Sequence, residues 1–509
     1  MFRLPLFIVF LFSNFAYSQG FTTLLGKEYN TSKKENFSGF LGENATTVFT
    51  ADYVYYSKRK QELFIRKFHK SDLQLTDSQD IYRNLDEGYT NDPKEIFFIN
   101  NQFYLFSKMH SERDQTQLIA LEVFDESLNR INFQIVDSIQ VDEMEYIEVA
   151  DDKSSFLIAR HQRYTQLVEQ EILFTLVDLT GNVSFKKTIK SPMALQNLRI
   201  ENMQFKKNTP IYFLCNYAFD LRTGDNSAEG QLVNNKYALW SYDIQNGFLK
   251  EFEIRLKKKW VNGIQMDFNA DDQLIVAGFF NESKNETVSG VFNLIISPKL
   301  SLLHTAWDKY DEQLYQTFRR RDKNRKITEI PDVKMKGLLV LEDGSFMQIG
   351  EQYYKYVERN YDPRTNITTT TEHYNYNSIV VSYFDKHGKH QWTNHVPKFQ
   401  NSTNDFGYFS SFVAYNTGDK VHLLFNDTEK NLDVELGNYG GYTSIFNNRK
   451  FVITYVTIDK SGVIERNRLL NEDNSFMLRA KMSGQINAES LYLITETNRN
   501  SRVIKVEQN

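Results

Sequence analysis

Between residues 118 and 137 the chain reads LIALEVFDESLNRINFQIVD: apolar and polar positions alternate, an Asp opens a short polar break, and the alternation resumes. Period-two alternation sends successive side chains to opposite faces of a strand, so the stretch predicts two strands joined by a tight turn. The same arrangement recurs at 172–189, 237–254, 379–396 and 451–470, and more weakly at 63–78 and 290–307. Asp125, Asp178, Asp243, Asp385 and Asp459 open these turns, with His69 and Ser297 in the weaker copies. An Asp at that position accepts hydrogen bonds from backbone N–H groups just ahead of it. The Gly or Asn that follows tolerates the positive φ of a tight turn. Upstream lie further alternating pairs, at 95–110, 146–161, 263–280 and 337–354, broken by short polar turns such as Asn100-Asn101 and Asp343-Gly344. Such breaks between alternating runs are hairpin signals.

The repeating unit is therefore four antiparallel strands, a to d, with units starting near Asn44, Lys94, Tyr146, Arg199, Asn262, Met335, Phe409 and Leu478. The last unit, 478–508, offers three strands and stops, while residues 21–25 form a spare strand before the first unit. These reciprocal deficits predict one blade built from both ends of the chain, which removes the exposed edges of an open array. Four-stranded units repeated in this way resemble the β-propeller superfamily over essentially the whole of residues 19–509. The resemblance implies an all-β single domain with eight blades, closed by the N-terminal strand. Seven blades is the alternative, and two unrelated β-sandwiches is the competing architecture. The repeated boxes of sialidase, WD40 and quinoprotein propellers are absent, so no narrower family is named.

Composition adds an address and removes several classes. With one cysteine among 509 residues a disulfide scaffold is excluded, and a net charge of -5 argues against a nucleic-acid partner. Aromatic content of 14% suits pleated, half-buried surfaces. Residues 1–18 carry Arg3, a nine-residue apolar run to Phe12, then Ala16 and Ser18, the layout of a secretory signal peptide cleaved before Gln19. Spanning a bilayer takes about 20 apolar residues, so this run predicts export rather than an anchor. No cysteine stands near the cleavage point, where a lipoprotein would require one as the first mature residue. The expected location is periplasmic or extracellular, peripheral to the outer membrane at most.

Long connections interrupt the repeat at 219–235, 309–333, 355–375 and 427–448. Three join strands b and c, one joins d to the next a, and alternation of strand direction puts all four on one face. Insertions in repeat proteins concentrate on the binding face. Arg319, Arg320 and Arg321 open a basic run in the second insertion. Tyr356, Arg359 and Tyr361 lie in the third, and Tyr439 and Tyr442 in the fourth. Tyr and Arg bury area and still hydrogen-bond, which suits a protein interface; sugar stacking fits the same residues.

Compact catalytic signatures are absent. His387, His390 and His395 lie close together, but no nearby Asp or Cys completes a metal site, and exposed turn histidines are expected. Cys215, in the alternating IYFLCNY, reads as a buried thiol. No catalytic residue, cofactor or metal is assigned. The expected function is a non-enzymatic exported scaffold or accessory subunit of an outer-membrane complex, for example one covering or gating an export translocon of the type IX kind. A carbohydrate-binding or glycan-cleaving propeller is the alternative.

Overall fold

The computed structural model describes residues 21–30, 36–57, 60–82, 89–111, 116–140, 142–162, 164–207, 209–218, 235–254, 259–282, 287–318, 329–435, 441–445, 451–470, 476–486, 490–497 and 500–508. Their strands assemble into eight antiparallel blades in chain order. Blade 1 runs from Asn36–Glu43 to Leu75–Asp80, and blade 2 from Tyr89–Ile99 to Arg130–Gln140. Blades 3 and 4 share the long strand Val183–Gln204, which pairs first with Val168–Asp178 and then with Ile211–Ala218. Blade 5 spans Trp260–Phe268 to Leu302–Lys309, blade 6 Val333–Val340 to His390–Val396, and blade 7 Val413–Thr417 to Ile464–Arg468.

Blade 8 is built from both chain ends. Its first strand is broken into Met477–Leu478 and Gly484–Gln485, both pairing with Ser490–Glu496; the third strand is Asn500–Gln508. Phe21–Leu25 supplies the fourth strand, antiparallel, with Phe21 opposite Gln508 and Leu25 opposite Ile504.

Alternation along the strands becomes packing between blades. In strand b of blade 4, Phe213 and Cys215 face blade 3, while Tyr212 and Leu214 face blade 5. In strand b of blade 7, Leu423 and Phe425 face blade 6 while Leu424 faces blade 8. Eight apolar clusters fill the successive gaps, and the eighth joins Tyr492, Ile494 and Val503 of blade 8 to Val48 and Phe68 of blade 1. The contacts therefore run in a cycle. Middle strands have both faces covered and are wholly buried, as in Leu274–Asn281 and Gly290–Ile296; fourth strands such as Leu302–Lys309 alternate with exposed positions. The single thiol, Cys215, is fully buried, and burial pushes it well above the ordinary cysteine range.

The Asp-led turns form as hydrogen-bonded Asx turns. Oδ1 of Asp178 accepts from the N–H groups of Thr180 and Asn182, that of Asp385 from His387 and Lys389, and that of Asp459 from Ser461 and Val463. Gly181, Gly388 and Gly462 then take φ of 89°, 81° and 84°. Where the repeat lacks Gly, Leu73, Leu128 and Leu300 adopt φ of 52°, 64° and 55° with their side chains in the core, so burial offsets the left-handed strain. These turns also latch neighbouring blades: Asn132 donates to the Thr180 carbonyl at 2.8 Å, Asn293 to that of Gly388 at 2.8 Å, and Asn394 to that of Gly462 at 2.7 Å.

A Cβ added at Gly388 would lie 2.5 Å from His304 Cδ2 and 2.6 Å from Asn293 Oδ1, whereas one at Gly418 meets nothing within 4 Å. Both glycines have positive φ. Gly388→Ala is expected to lower unfolding free energy by roughly 2–3 kcal/mol, against about 1 kcal/mol for Gly418→Ala, which carries the backbone strain alone. Paired denaturant titrations measure the difference, and equal losses would mean that the blade contact at Gly388 contributes nothing.

Candidate functional site

Strand direction places the b-to-c and d-to-a connections on one face, and the described parts of three insertions meet there around blade 6. The first enters as a short helix, Glu312–Thr317, capped by Asp311, whose Oδ1 accepts from the Leu314 N–H at 2.6 Å. Leu314 and Tyr315 are buried, and the Tyr315 hydroxyl donates to the Ser289 carbonyl at 2.6 Å. The returning end is tied by Glu329, which accepts from Thr287 and Ser289, and by the pairing of Ile330–Pro331 with Thr287–Val288.

The second, 355–375, is expected from the sequence to be a connecting loop and is instead a continuation of the sheet. Strands Phe346–Asp362 and Ile367–Phe384 stay paired for ten further positions beyond the blade, from Tyr353 opposite Tyr376 to Asp362 opposite Ile367. At about 3.3 Å per residue the hairpin projects roughly 30 Å. Its tip closes on Asp362, which accepts from the Arg364 N–H at 2.8 Å, and on Asn366 at φ 56°. Four consecutive Thr and the Tyr-rich flanks favour extended backbone. Tyr354, Tyr356, Val357, Tyr361 and Ile367 are exposed.

The third, 427–448, folds back as a short helix, Glu429–Leu432, held by Asn431. The Asn431 amide donates to Asp427 at 2.6 Å and to the Thr443 carbonyl at 2.9 Å. Burial pushes Asp427 up to about 6. Ile445 N–H donates to the Phe399 carbonyl at 3.3 Å, which brings this segment against blade 6.

Between the short helix, the base of the hairpin and the connection that follows blade 6 lies a pocket of about 180 Å³, walled by Phe318, Tyr354, Pro397 and Phe399, with Gln352, Asn377 and His395 as polar lining. Among the described residues, the buried Asn377 Oδ1 has no hydrogen-bond partner. His395 stacks on Phe318 at 4.0 Å and meets Thr317 Oγ1 through Nδ1 at 2.9 Å. Burial, reinforced by Arg466, lowers its pKa to about 3. A folded-state value below the ordinary 6.5 makes this histidine's contribution complete above pH 6.5 and progressively lost as pH falls toward 3. Moving from pH 8 to pH 5 therefore costs the wild type about 2 kcal/mol through this group. His395→Gln is expected to show a stability drop smaller by that amount over the same interval; an unchanged drop would contradict a neutral buried ring.

The hairpin stands on a buried polar network. Lys398 Nζ donates to Glu351 Oε1 at 2.8 Å, to the Tyr376 carbonyl at 2.9 Å and to Gln400 Oε1 at 2.9 Å, and both charged side chains are fully buried. Burial holds Lys398 below the usual lysine range, against the pull of the Glu351 carboxylate. Glu351 Oε2 also meets Lys336 at 3.2 Å and accepts from Ser411 at 2.9 Å. Gln400 continues to the Asn426 carbonyl in blade 7, and Asn426 to Leu478 in blade 8. Nothing in the local sequence marks this network.

Of the residues read as partner contacts, Tyr356, Arg359 and Tyr361 lie on the hairpin but not on one face. Register puts Tyr356 opposite His373, on which it stacks at 4.3 Å, while Arg359 and Tyr361 share the other face with Lys355 and Glu372. Tyr442 requires correction: it is 8% exposed, Arg466 lies over its ring, and its hydroxyl accepts from that guanidinium at 2.5 Å, so it braces the fold and is not available at the surface. Arg319, Arg320, Arg321 and Tyr439 lie outside the described residues, as do the 219–234 connection and residues 1–20. His387 is exposed in the turn opposite this face and His390 is half-buried where the next strand begins, and no group of three or more His, Cys, Asp or Glu gathers among the described residues. No helix among them is long and apolar enough to cross a membrane.

Eight four-stranded blades joined by a cycle of packed interfaces define an all-β protein of the β-propeller class. No protein-family model matches the chain, and no curated protein matches it in sequence. Comparison with solved structures returns similarities at low identity. The WD40 domain of SCAP from fission yeast is 9% identical, with 96% of this chain and 98% of that one covered and a TM-score of 0.42. A prolyl endopeptidase is 10% identical, covering 86% of this chain but 46% of that one, with a TM-score of 0.37. The polysaccharide lyase Uly1 is 9% identical over 95% and 99%, with a TM-score of 0.35.

Proposed function

We propose that this propeller is a non-enzymatic scaffold that binds a protein partner through the hairpin face, as an exported accessory subunit of an outer-membrane complex that covers or gates an export translocon of the type IX kind. The observation that carries the reading is the hairpin. Ten residue pairs leave the blade with exposed aromatic side chains on both surfaces, rooted in a buried network that fixes their direction. Exposed apolar groups concentrated on a rigid projection gain free energy when a partner covers them. The export part of the reading rests on the signal-type segment 1–18.

Tyr356→Ala combined with Arg359→Ala is expected to leave stability within about 0.5 kcal/mol, both side chains being exposed. The pair should weaken partner binding by about 1–3 kcal/mol, read as loss of stoichiometric co-purification from gently solubilised cells. Replacing 354–375 by a two-residue turn should abolish co-purification. Retention of the same partner at the same stoichiometry would remove the reading. The pocket's aromatic walls favour glycan binding as the second reading, and an oligosaccharide-dependent rise in melting temperature with no co-purified protein would select it.

A further inference from the structure

The outer edge of the hairpin's second strand is half occupied. Gln400–Thr403 pairs antiparallel with Tyr376 back to His373, and Asn404 then ends the ladder. At φ 53° it turns the chain away, its N–H donating to the Glu372 carbonyl at 3.0 Å and its Oδ1 accepting from the Glu372 N–H at 2.9 Å. The backbone groups of Glu372 thus point to this edge. Alternation along a strand points those of Thr370 and Thr368 the same way, and among the described residues no strand pairs with them.

The two edges of the hairpin are not alike. Along the first strand, Tyr353 N–H donates to the Asp332 carbonyl, so the outward groups beyond it belong to residues 355, 357 and 359, where Lys355 and Arg359 stand. Charged side chains of that kind blunt an edge against pairing. Along the second strand the sequence is Ile367 followed by four Thr, β-branched, uncharged and without Pro. That is the composition of a strand that accepts another.

We infer that the edge of Ile367 to Thr371 binds an extended segment of the protein partner as an added antiparallel strand, collinear with Gln400–Thr403 and prolonging its ladder. The inference rests on the scaffold reading and names its mode of engagement. The segment's chemistry follows from its neighbours. It carries β-branched, uncharged residues to match the Thr row, and an acidic residue opposite Thr370. Register places Arg359 opposite Thr370 on the other side, and across so small a side chain the exposed guanidinium reaches a carboxylate.

Proline separates this edge from the rest of the hairpin. Thr370→Pro removes an N–H that points outward and leaves the inner ladder intact, since Pro is tolerated on an edge strand where the N–H faces solvent. Val357→Pro does the same on the opposite edge. The probe is a fluorescent peptide of sequence Val-Thr-Val-Asp-Val-Thr-Val, titrated into the full chain and followed by anisotropy, with hydrogen exchange read at Thr368 and Thr370. The expected result is saturable binding that slows exchange at those two amides, falls at least tenfold in Thr370→Pro and is unchanged in Val357→Pro. Equal binding by wild type and Thr370→Pro, or no slowing of exchange, overturns the inference. A concentration-dependent dimer abolished by Thr370→Pro would seat a second copy of the chain on the edge and overturn the assigned occupant. Co-purification separates the two readings: partner retained by Thr370→Pro but lost with the shortened hairpin removes only the added strand, whereas partner retained by both removes the scaffold reading as well.

Discussion

A chain beginning at Gly26, without Phe21–Leu25, loses more than about 5 kcal/mol of stability and associates at micromolar concentration. The strand pairs along its whole length with Asn500–Gln508, so its removal breaks that ladder and leaves the last strand of blade 8 as an open edge. Phe21 is 5% exposed, packs edge-on against Tyr455 of blade 7 at 4.4 Å, and belongs to the cluster between blades 7 and 8. Deleting a buried Phe side chain alone costs about 3–5 kcal/mol, to which the lost backbone pairing adds. Phe21→Ala, which keeps the strand, is the milder comparison. Calorimetric melting with light scattering should rank wild type above Phe21→Ala above the truncated chain, with scattering rising in the last. A truncated chain that melts like wild type would mean that the ends do not close blade 8.

Lys398→Met is expected to cost about 3–5 kcal/mol, the range for removing one partner of a buried pair. All three donors of the ammonium are used, and its loss leaves Glu351 buried with Lys336 as its remaining cation. Pairing the change with Glu351→Gln should recover most of the loss, because the uncompensated charge disappears with it. Denaturant unfolding of the two single variants and the double closes the cycle; additive losses would contradict coupling across blade 6. The same variant should loosen the hairpin, since Lys398 also holds the Tyr376 carbonyl at its base.

Strands, turns and blade closure were legible because each leaves a local mark: alternation for a strand covered on both faces, Asp and Gly at fixed offsets for the turns, and complementary deficits at the two ends for blade 8. The hairpin beyond Tyr353 left little, since a ribbon exposed on both faces has no apolar alternation, and its four Thr and Tyr-rich flanks were the signals of extended backbone. Tyr442 beside two glycines read as a loop residue, whereas Arg466, 24 positions later, folds over it. Glu351 and Lys398 lie 47 positions apart, and only the convergence of blade 6 with the connection that follows it brings them together.

Crosslinking in cells shows whether partners meet the hairpin face. A photo-reactive phenylalanine analogue placed at Tyr356, on the hairpin, or at His387, in an exposed turn of the opposite face, samples the two surfaces separately. A discrete crosslinked species is expected from position 356 and none from 387. Crosslinks from 387 with none from 356 would contradict that expectation.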